Sequence, residues 1–417
     1  MRNYELRIDT SEMKKALDML STVVNKKNAL PILSCACIKY DRQRKFFTMT
    51  ACNTEQFLYI ECWKRDEQQG QKLWMFLDKE DKEPLDSFCI NVDDYKEAFS
   101  LPAMPAQCVL SINGDGQGGS LRVNYGKGEF TLPVESGEQY PSVPSVAEKD
   151  GEKKDGSIPL IKFSIETQRL LPIIGTARIC SANDELRPVL NTVCLDCHHD
   201  HAVVFASNGH SFYKHVIDTG TGWLRYGEFP AIESAKLLIP TQAISPMMKT
   251  LGSSDSLTLT ADNQRIRIET TDGVVLTTVC VDGKCPNYDS VIPKNSPHRL
   301  ILDRQEFQAT LRRVSIFSAE ASNMAILKRD DDHVVISASD EGFGRNVDEK
   351  VAILNECTLD NGFQLGFKIS LMQQLMGCVT TDNAIFDLID ASKAIIIKED
   401  SQSSNLTLLI MPMLVNQ

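Results

Sequence analysis

Apolar residues recur at helical spacing in widely separated stretches of the chain, each directly after a short strand pattern. Met13, Leu17 and Leu20 mark one face of the first helix, and Phe307 and Leu311 do so in the last. The predicted strands and helices cover residues 4–8 and 10–20, 161–165 and 167–174, and 300–302 and 303–311. The pattern therefore predicts the same strand–helix unit three times.

Each of these units is followed by a predicted hairpin and then by a second helix. The hairpin strands cover 33–40 and 46–51, 190–197 and 203–206, and 324–328 and 334–338, and the second helices cover 92–101, 241–251 and 370–379. Each hairpin ends in a small-small-Asx corner at Asn53, Asn208 or Asp340, which suits a tight turn. The repeat predicts an α+β fold of three similar domains, each with two helices on antiparallel sheets. Chance similarity of short apolar strings is the alternative.

Composition shifts predict where the domains meet. A charged, apolar-poor stretch over 147–157 has the character of a linker, and 295–297 forms a second break. The predicted domains are 1–146, 158–295 and 297–417, with inserted surface loops at 64–87 and 218–234.

The bulk composition indicates a soluble, cytoplasmic protein. The 417 residues are 42% hydrophobic and 24% charged, which is enough to bury several cores. A net charge of -12 argues against a general nucleic-acid binder, although a basic inner face can coexist with an acidic exterior. The thirteen cysteines are scattered through apolar runs, as in a reduced compartment. No stretch resembles a signal peptide or a membrane span.

Several short segments, in order and at consistent spacing, are similar to one known family. They are Leu30-Pro31-Ile32-Leu33, Ser207-Asn208-Gly209-His210, Val281-Asp282-Gly283-Lys284-Cys285-Pro286-Asn287-Tyr288, Gly366-Phe367-Lys368-Ile369-Ser370 and Met411-Pro412-Met413. With the threefold repeat, they make the chain resemble the bacterial DNA polymerase III beta subunits, the DNA sliding clamps, along nearly its whole length.

The resemblance implies a head-to-tail homodimer that forms a six-domain ring with helices lining the hole. Such a ring encircles double-stranded DNA without reading its sequence and tethers the replicative DNA polymerase, after assembly by a clamp loader. It implies neither catalysis nor a cofactor. The role expected for the chain is that of a non-catalytic processivity subunit.

The resemblance also implies an apolar groove for short peptides of partner proteins. Carried over by position, the groove comprises Leu190, Ser207, Gly209, His210, Phe212, Pro286, Val291, Leu371, Leu409, Met411, Pro412 and Met413. Adaptable methionine walls suit several partners. For any one of these residues, ordinary core packing is the alternative.

Two further sets follow from the resemblance. Lys27, Arg187 and Lys249 match basic positions near the hole, where contacts to DNA phosphates are expected. Phe130 and Leu132 match one side of the dimer seam, and Ile316 and Phe317 match the other. A solvated face or intradomain packing is the alternative for members of these sets.

The chain also departs from the family pattern. Leu414 follows Met413 where the family usually has arginine, and Phe212 stands two residues after His210 where the family has leucine. Asp93 lies where a basic pair is common. These departures leave open a divergent clamp paralogue with different partners.

One segment suggests different chemistry. Cys194, Cys197 and His198 have the Cys-x-x-Cys-His spacing of haem attachment, and cysteine and histidine are also zinc ligands. No second ligand pair accompanies them, so no metal is expected, and a metal- or haem-binding protein is the weaker alternative. The glycine-rich segment 114–120 lacks the lysine of a phosphate-binding loop and predicts a hairpin turn.

Overall fold

The structure is a computed structural model that describes most of the chain. The described residues are 2–24, 30–41, 43–44, 46–64, 71–72, 74–76, 87–102, 104–114, 118–144, 146, 161–198, 200–218, 235–262, 264–355 and 357–415.

Within these residues, six α-helices alternate with many short strands. The helices are α1 (Thr10–Leu20), α2 (Val92–Phe99), α3 (Thr167–Ala177), α4 (Thr241–Leu251), α5 (Arg304–Val314) and α6 (Ile369–Met376). The strands are β1 (Arg2–Asp9), β2 (Cys35–Asp41), β3 (Phe46–Cys52), β4 (Gln56–Glu61), β5 (Trp63–Lys64), β6 (Gln71–Lys72), β7 (Trp74–Phe76), β8 (Ser87–Asn91), β9 (Gln107–Gly114), β10 (Gly118–Asn124), β11 (Glu129–Ser136), β12 (Ile161–Glu166), β13 (Thr192–Cys197), β14 (His201–Ser207), β15 (Ser211–Asp218), β16 (Ala235–Pro240), β17 (Ser256–Ala261), β18 (Arg265–Thr270), β19 (Val274–Val279), β20 (His298–Asp303), β21 (Met324–Asp330), β22 (His333–Asp340), β23 (Arg345–Ala352), β24 (Gln364–Lys368), β25 (Asn383–Leu388), β26 (Ile395–Glu399) and β27 (Leu406–Ile410).

The chain divides into two compact units. The first holds the described residues within Met1–Pro172 and Gln242–Cys280, and the second holds those within Ile173–Thr221, Glu233–Thr241 and Val281–Gln417. The sheet of the first unit runs β12-β17-β18-β19-β4-β3-β2-β8-β11-β10-β9-β1-β7. The second unit contains an eight-stranded sheet, β16-β13-β14-β15-β27-β26-β25-β20, and a four-stranded sheet, β23-β22-β21-β24.

Side-chain caps fix where three of the helices begin. Asp9 accepts hydrogen bonds from the backbone N–H groups of the first turn of α1, and Asn91 does the same for α2. Asp303 accepts one from the backbone N–H of Glu306 in α5. These bonds satisfy N–H groups that have no partner within the helix, so each short polar residue sets a boundary.

The apolar faces that the sequence predicts are buried. Met13, Leu17 and Leu20 of α1 are each at most 1% exposed, and so are Phe307 and Leu311 of α5. A face with this spacing covers a sheet and leaves the opposite face to polar side chains. The alternating apolar positions of the strands supply the other side of these cores.

The observed elements match the predicted α+β class, with local differences. The predicted strands at 33 and 190 begin later, because Pro31–Ser34 and Pro188–Asn191 form 3-10 turns. Proline suits the first position of such a turn because its φ is fixed and it has no N–H. The helix predicted over 370–379 ends at Met376, where Gly377 follows as a poor helix former.

The two predicted insertions have different outcomes. Within 64–87, the described residues include β6 and β7, and β7 pairs with β1, so this part is not simply loop. Beyond Asp218, the insertion predicted over 218–234 lies outside the described residues. The glycine-rich segment 114–120 joins β9 to β10, which pair antiparallel as the predicted hairpin requires.

A buried carboxylate in the second unit predicts a pH-dependent stability. Asp387 of β25 is hydrogen-bonded by Arg299 of β20 and Lys398 of β26, each at 2.9 Å. Burial alone would raise the pKa of Asp387, but these two partners outweigh it and hold the pKa below its usual 3.8. The carboxylate therefore stabilises the fold above about pH 4, and this contribution is lost as the pH falls further.

Asp387→Asn is expected to lower the free energy of unfolding at pH 7 by about 1.5–3 kcal/mol, as for hydrogen bonds to charged groups. Urea unfolding should show that the difference in free energy of unfolding between the variant and wild type is smaller at pH 3 than at pH 7. Asp330→Asn is the control, because the Asp330–Lys350 pair at 3.0 Å lies on the surface and contributes little. If the destabilisation caused by Asp387→Asn does not change with pH, this account is contradicted.

Candidate functional site

An apolar pocket in the second unit is framed by neighbouring strands of its eight-stranded sheet. β14 pairs with β13 on one side and with β15 on the other. β27 then pairs with β15, which places Leu409 directly opposite Phe212. Residues far apart in the chain are thereby brought to one patch of the sheet.

The turn between β14 and β15 forms one rim of the pocket. The Asn208 side chain accepts hydrogen bonds from the backbone N–H groups of His210 and Ser211, at 2.9 and 2.7 Å. Gly209 has φ 87°, a left-handed conformation that favours glycine. The predicted small-small-Asx corner therefore forms a rigid turn here, closed by the Ser207 hydroxyl, which accepts from the Gly209 N–H.

The segment 281–291, which follows β19, supplies the opposite wall and is called the wall segment. A Cβ atom at Gly283 would lie 2.5 Å from Cγ2 of Val189, so only glycine allows this close approach. Tyr288 follows in a short 3-10 turn and is buried, with its ring centroid 4.3 Å from that of Phe205. The wall is thus anchored at both ends against residues of the sheet and its flanking turn.

Together these parts enclose about 520 Å³ of space, the open mouth included. The lining residues are Val189, Leu190, Thr192, Cys194, Phe205, Ala206, Ser207, Gly209, Phe212, Leu238, Pro286, Asn287, Tyr288 and Val291. A mainly apolar, preformed concavity suits a few side chains of a peptide or a small ligand.

A buried polar network lies behind the apolar wall. The Tyr288 hydroxyl donates to Oδ2 of Asp196 at 2.9 Å, and Nζ of Lys236 lies 3.5 Å from the same oxygen. Burial, together with the adjacent carboxylate, raises the pKa of Tyr288, so its hydroxyl stays protonated and donates. The network fixes the orientation of the Tyr288 ring in the pocket wall.

Two cysteine thiols meet at the base of the same wall. The Sγ atoms of Cys194, on β13, and Cys285, on the wall segment, are 3.0 Å apart and share a hydrogen bond. Burial raises the pKa of Cys194, whereas the hydrogen bond from Cys194 lowers that of Cys285. All thirteen cysteines are free thiols in the structure.

Half of the residues predicted for the groove line this pocket: Leu190, Ser207, Gly209, Phe212, Pro286 and Val291. Leu409 belongs to the apolar cluster that surrounds the pocket. The Met411 N–H donates to the His210 carbonyl at 2.8 Å, which ties these two residues at the rim. Pro412 follows, and the Met413 N–H bonds the Gly366 carbonyl. Leu371 is half-buried on α6 and does not line the pocket.

Several lining residues were not predicted from the sequence, notably Thr192, Cys194, Phe205, Leu238 and Tyr288. The period-two alternation of a strand was an available signal. Thr192 and Cys194 alternate on β13, and Phe205 and Ser207 alternate on β14, so each pair shares one face of the sheet.

Two of the predicted seam residues lie on a strand that is only partly paired on one side among the described residues. Phe130 and Leu132 are half-buried on β11, which pairs with β10 throughout but with β8 through Glu135 and Ser136 alone among the described residues. Ile316 follows α5 and is 67% exposed.

Phe317 is half-buried beside it. Nearby in the same unit, β23 forms an outer strand of its sheet, with β22 as its one neighbour in the described part of the chain. Both edges leave backbone groups available for pairing.

The predicted basic residues are only partly described. Lys27 lies outside the described residues. Arg187 is bonded to Asp184 at 2.7 Å, with 59% of its side chain exposed. Lys249 is exposed near the end of α4.

The Cys-x-x-Cys-His segment is not arranged as a metal centre. Cys194 and Cys197 are three residues apart on β13, so their side chains point to opposite faces of the sheet. Both are buried, and His198 lies near Asp196 instead, at 3.2 Å. In the part of the chain that the structure describes, no three candidate ligands come together.

Comparisons with known proteins agree along the chain. Residues 289–414 match the family model for the DNA polymerase III beta subunit, C-terminal domain. A beta sliding clamp from Caulobacter vibrioides is 23% identical, covering 99% of this chain and 100% of that protein. One from Pseudomonas aeruginosa is 22% identical, covering 97% and 98%.

Solved structures give the same answer for the fold. A DNA polymerase sliding clamp from Pseudomonas aeruginosa superposes with a TM-score of 0.80 at 20% identity, over 99% of this chain and 100% of that one. The DNA polymerase III beta chain of Streptococcus pneumoniae gives 0.82 at 16% identity, over 99% and 100%.

The fold, helices on antiparallel sheets, is therefore that of the DNA sliding clamps, as the sequence predicted. The C-terminal part of the chain matches the DNA polymerase III beta subunit model, and nearly the whole chain is similar to beta sliding clamps, in agreement with the resemblance in its sequence. None of the described helices has the length and apolar character needed to cross a membrane.

Proposed function

We propose that this protein is a sliding clamp: a head-to-tail homodimeric ring that encircles duplex DNA and tethers a replicative polymerase. Three clamp domains per chain, 1–146, 158–295 and 297–417, give six in the ring. The ring acts by topology and performs no bond chemistry, and a protein that encircles chromosomal DNA in bacteria works in the cytoplasm. A clamp loader opens it onto DNA.

The shape and apolar character of the pocket support the proposal that partner proteins dock through short peptides. Its preformed apolar walls accept a few large side chains of a peptide. Binding of this kind requires no further specific contact with the surrounding surface. Met411 and Val291, 45% and 54% exposed, stand at its rim as apolar surface that a partner would cover. We assign the peptide groove to this pocket, with His210 and Met411 at its entrance.

The open strand edges support the ring. An edge strand normally pairs, is covered or is protected, because its free N–H and C=O groups otherwise promote aggregation. In the proposed ring, β11 of one copy pairs with β23 of another, which extends the sheets across the seam. Phe130 and Leu132 then face Ile316 and Phe317, so apolar side chains accompany the backbone pairing.

The departures from the family pattern favour altered partner preference. Leu414, 87% exposed, occupies the position where the family has a cationic side chain, and Phe212 presents a larger ring to the pocket. We therefore expect these two substitutions to favour an apolar peptide over one that carries an acidic residue. A divergent clamp serving its own polymerase is consistent with these two substitutions.

Peptide binding tests the pocket. A fluorescent peptide with the clamp-binding segment of the organism's own replicative polymerase should bind, and Val291→Asp should weaken binding at least tenfold, because an unpaired carboxylate would be buried under the peptide. Deletion from Met411 onward should abolish binding while leaving the dimer intact. Fluorescence anisotropy gives the affinities, and sedimentation gives the oligomeric state.

Leu101→Asp is the matched control. Leu101 is also 54% exposed, but it lies after α2 in the first unit and not in the pocket, so binding should be unchanged. Normal binding by the deletion variant would refute the assignment of the groove to this pocket.

A further inference from the structure

The two thiols at the base of the pocket stand apart from the other cysteines. Cys194 and Cys285 come from segments 91 residues apart, yet their Sγ atoms are 3.0 Å from each other. An S–S bond is about 2.0 Å long, so a displacement of about 1 Å would join them. Cys194 lines the pocket, and Cys285 directly precedes the lining residue Pro286.

We propose that Cys194 and Cys285 form an oxidisable dithiol, and that its disulfide weakens peptide binding in the adjoining pocket. The second half of this inference rests on the proposed peptide-binding function. The first half does not, because it follows from the position and surroundings of the two sulfur atoms.

The surroundings assign the two thiols different roles. Cys285 is only partly buried, so a small oxidant can reach it, whereas Cys194 is 2% exposed. The hydrogen bond from Cys194 and the nearby positive charge of Lys236 favour the Cys285 thiolate, the reactive form. Cys285 is therefore the thiol that is oxidised first, and Cys194 is the thiol that resolves it.

With hydrogen peroxide as oxidant, the chemistry balances in two steps. The Cys285 thiolate attacks one peroxide oxygen, the O–O bond breaks, and the leaving hydroxide takes a proton, giving the sulfenic acid and water. The Cys194 sulfur then attacks the Cys285 sulfur, the S–O bond breaks, and the thiol proton leaves with the oxygen as water. Two thiols lose two electrons, and one peroxide becomes two waters.

The disulfide should act on the pocket through the wall segment. Drawing Cys285 toward Cys194 pulls the following residues, Pro286 and Tyr288, toward the floor formed by β13. The walls are preformed in the reduced protein, so a displacement of Pro286 changes the space that an incoming side chain can occupy. The covalent bond therefore narrows the pocket.

A second close pair provides an internal control. Cys37 and Cys89 are direct cross-strand partners on β2 and β8, but both are buried, at 8% and 0% exposure. Peroxide should reach this pair much more slowly. If proximity alone decided reactivity, the two pairs would oxidise together.

The test treats the full-length protein with hydrogen peroxide and measures both disulfide formation and peptide affinity. Intact mass should fall by the two hydrogens of one disulfide, and peptide mapping should join Cys194 to Cys285. Affinity for the polymerase peptide should fall at least fivefold and recover with dithiothreitol. In Cys285→Ser, the ratio of oxidised to reduced affinity should stay at one, whereas Cys89→Ser should respond as wild type does.

Absence of the Cys194–Cys285 crosslink, or a crosslink with unchanged affinity, would overturn the proposal. A reduced protein that binds no peptide would instead refute the peptide-binding function and, with it, the effect on binding. The mass measurement would still decide whether the dithiol exists, so the two failures are distinguishable.

Discussion

Loaded onto a nicked DNA circle by its cognate loader, the protein is expected to remain bound at a salt concentration that removes it from linear DNA. The chain carries a net charge of -12, and the exposed face of α2 bears Asp93, Asp94 and Glu97, so the attraction to phosphates is weak. Arg187 is already bonded to Asp184, which further limits direct contact. Retention must then come from closure of the ring around the duplex.

The salt dependence separates contact from topology. With two or three phosphate contacts, direct affinity falls roughly ten- to fifty-fold over a fourfold rise in salt, because counterions are released on binding. A closed ring is insensitive to this effect. Gel filtration of loaded circles at rising salt, before and after cutting by a restriction enzyme, measures both quantities. Equal loss from circular and linear DNA would defeat the clamp proposal.

Monomers are the expected product when the seam is disrupted. Ile316→Asp combined with Phe317→Asp should convert a species of twice 46.5 kDa into one of 46.5 kDa at micromolar concentration. Burying unpaired carboxylates against Phe130 and Leu132 of the partner copy is costly, so association should weaken at least a hundredfold. Sedimentation velocity over a concentration series gives the mass and the dissociation constant.

The same substitutions should leave each chain folded. Ile316 is 67% exposed in the single chain, so a charged side chain there stays in water when the partner is absent. Leu186→Asp is the control, because Leu186 is 91% exposed, belongs to neither seam strand and should not alter the dimer. A wild-type chain that remains monomeric at high concentration would refute the ring.

The local structure was predictable where local physics decides it. The bounds of α1 and α4 match the helical patterns over 10–20 and 241–251, because an apolar stripe acts within a few residues, as does the Asp9 cap of α1. The strand starts at 33 and 190 were predicted too early. There the proline at position 31 or 188 determines a 3-10 turn, which an apolar pattern does not reveal.

The pocket was predictable only in part, because its walls form by tertiary packing of segments that are far apart in the chain. The resemblance predicted Phe212 and Val291 as pocket residues. Leu238 lines the pocket because of the order of strands in the sheet, and Tyr288 does so because its hydroxyl is bonded to Asp196. Leu371 was placed in the groove by position along the chain; it lies on α6 and is not among the residues that line the pocket.

The cysteines show more clearly that local sequence patterns do not predict contacts between distant segments. Sequence spacing draws attention to Cys194 and Cys197, yet strand alternation sends their side chains to opposite faces. The sulfur that actually meets Cys194 belongs to Cys285, which no local pattern connects to it. Contacts at such separations depend on the packing of whole elements.

The pairing of β15 with β27 also bears on when the apolar cluster around the pocket is completed during synthesis. Phe212 and Leu409 face each other across this pair, although roughly two hundred residues of chain separate them, and contacts of such long range form slowly. A chain still emerging from the ribosome has β13, β14 and β15 well before it has β27. The residues that line the pocket all lie at or before Val291, but the apolar cluster around them is completed only by Leu409 and Ile396, so full support of the proposed docking pocket is acquired late in synthesis.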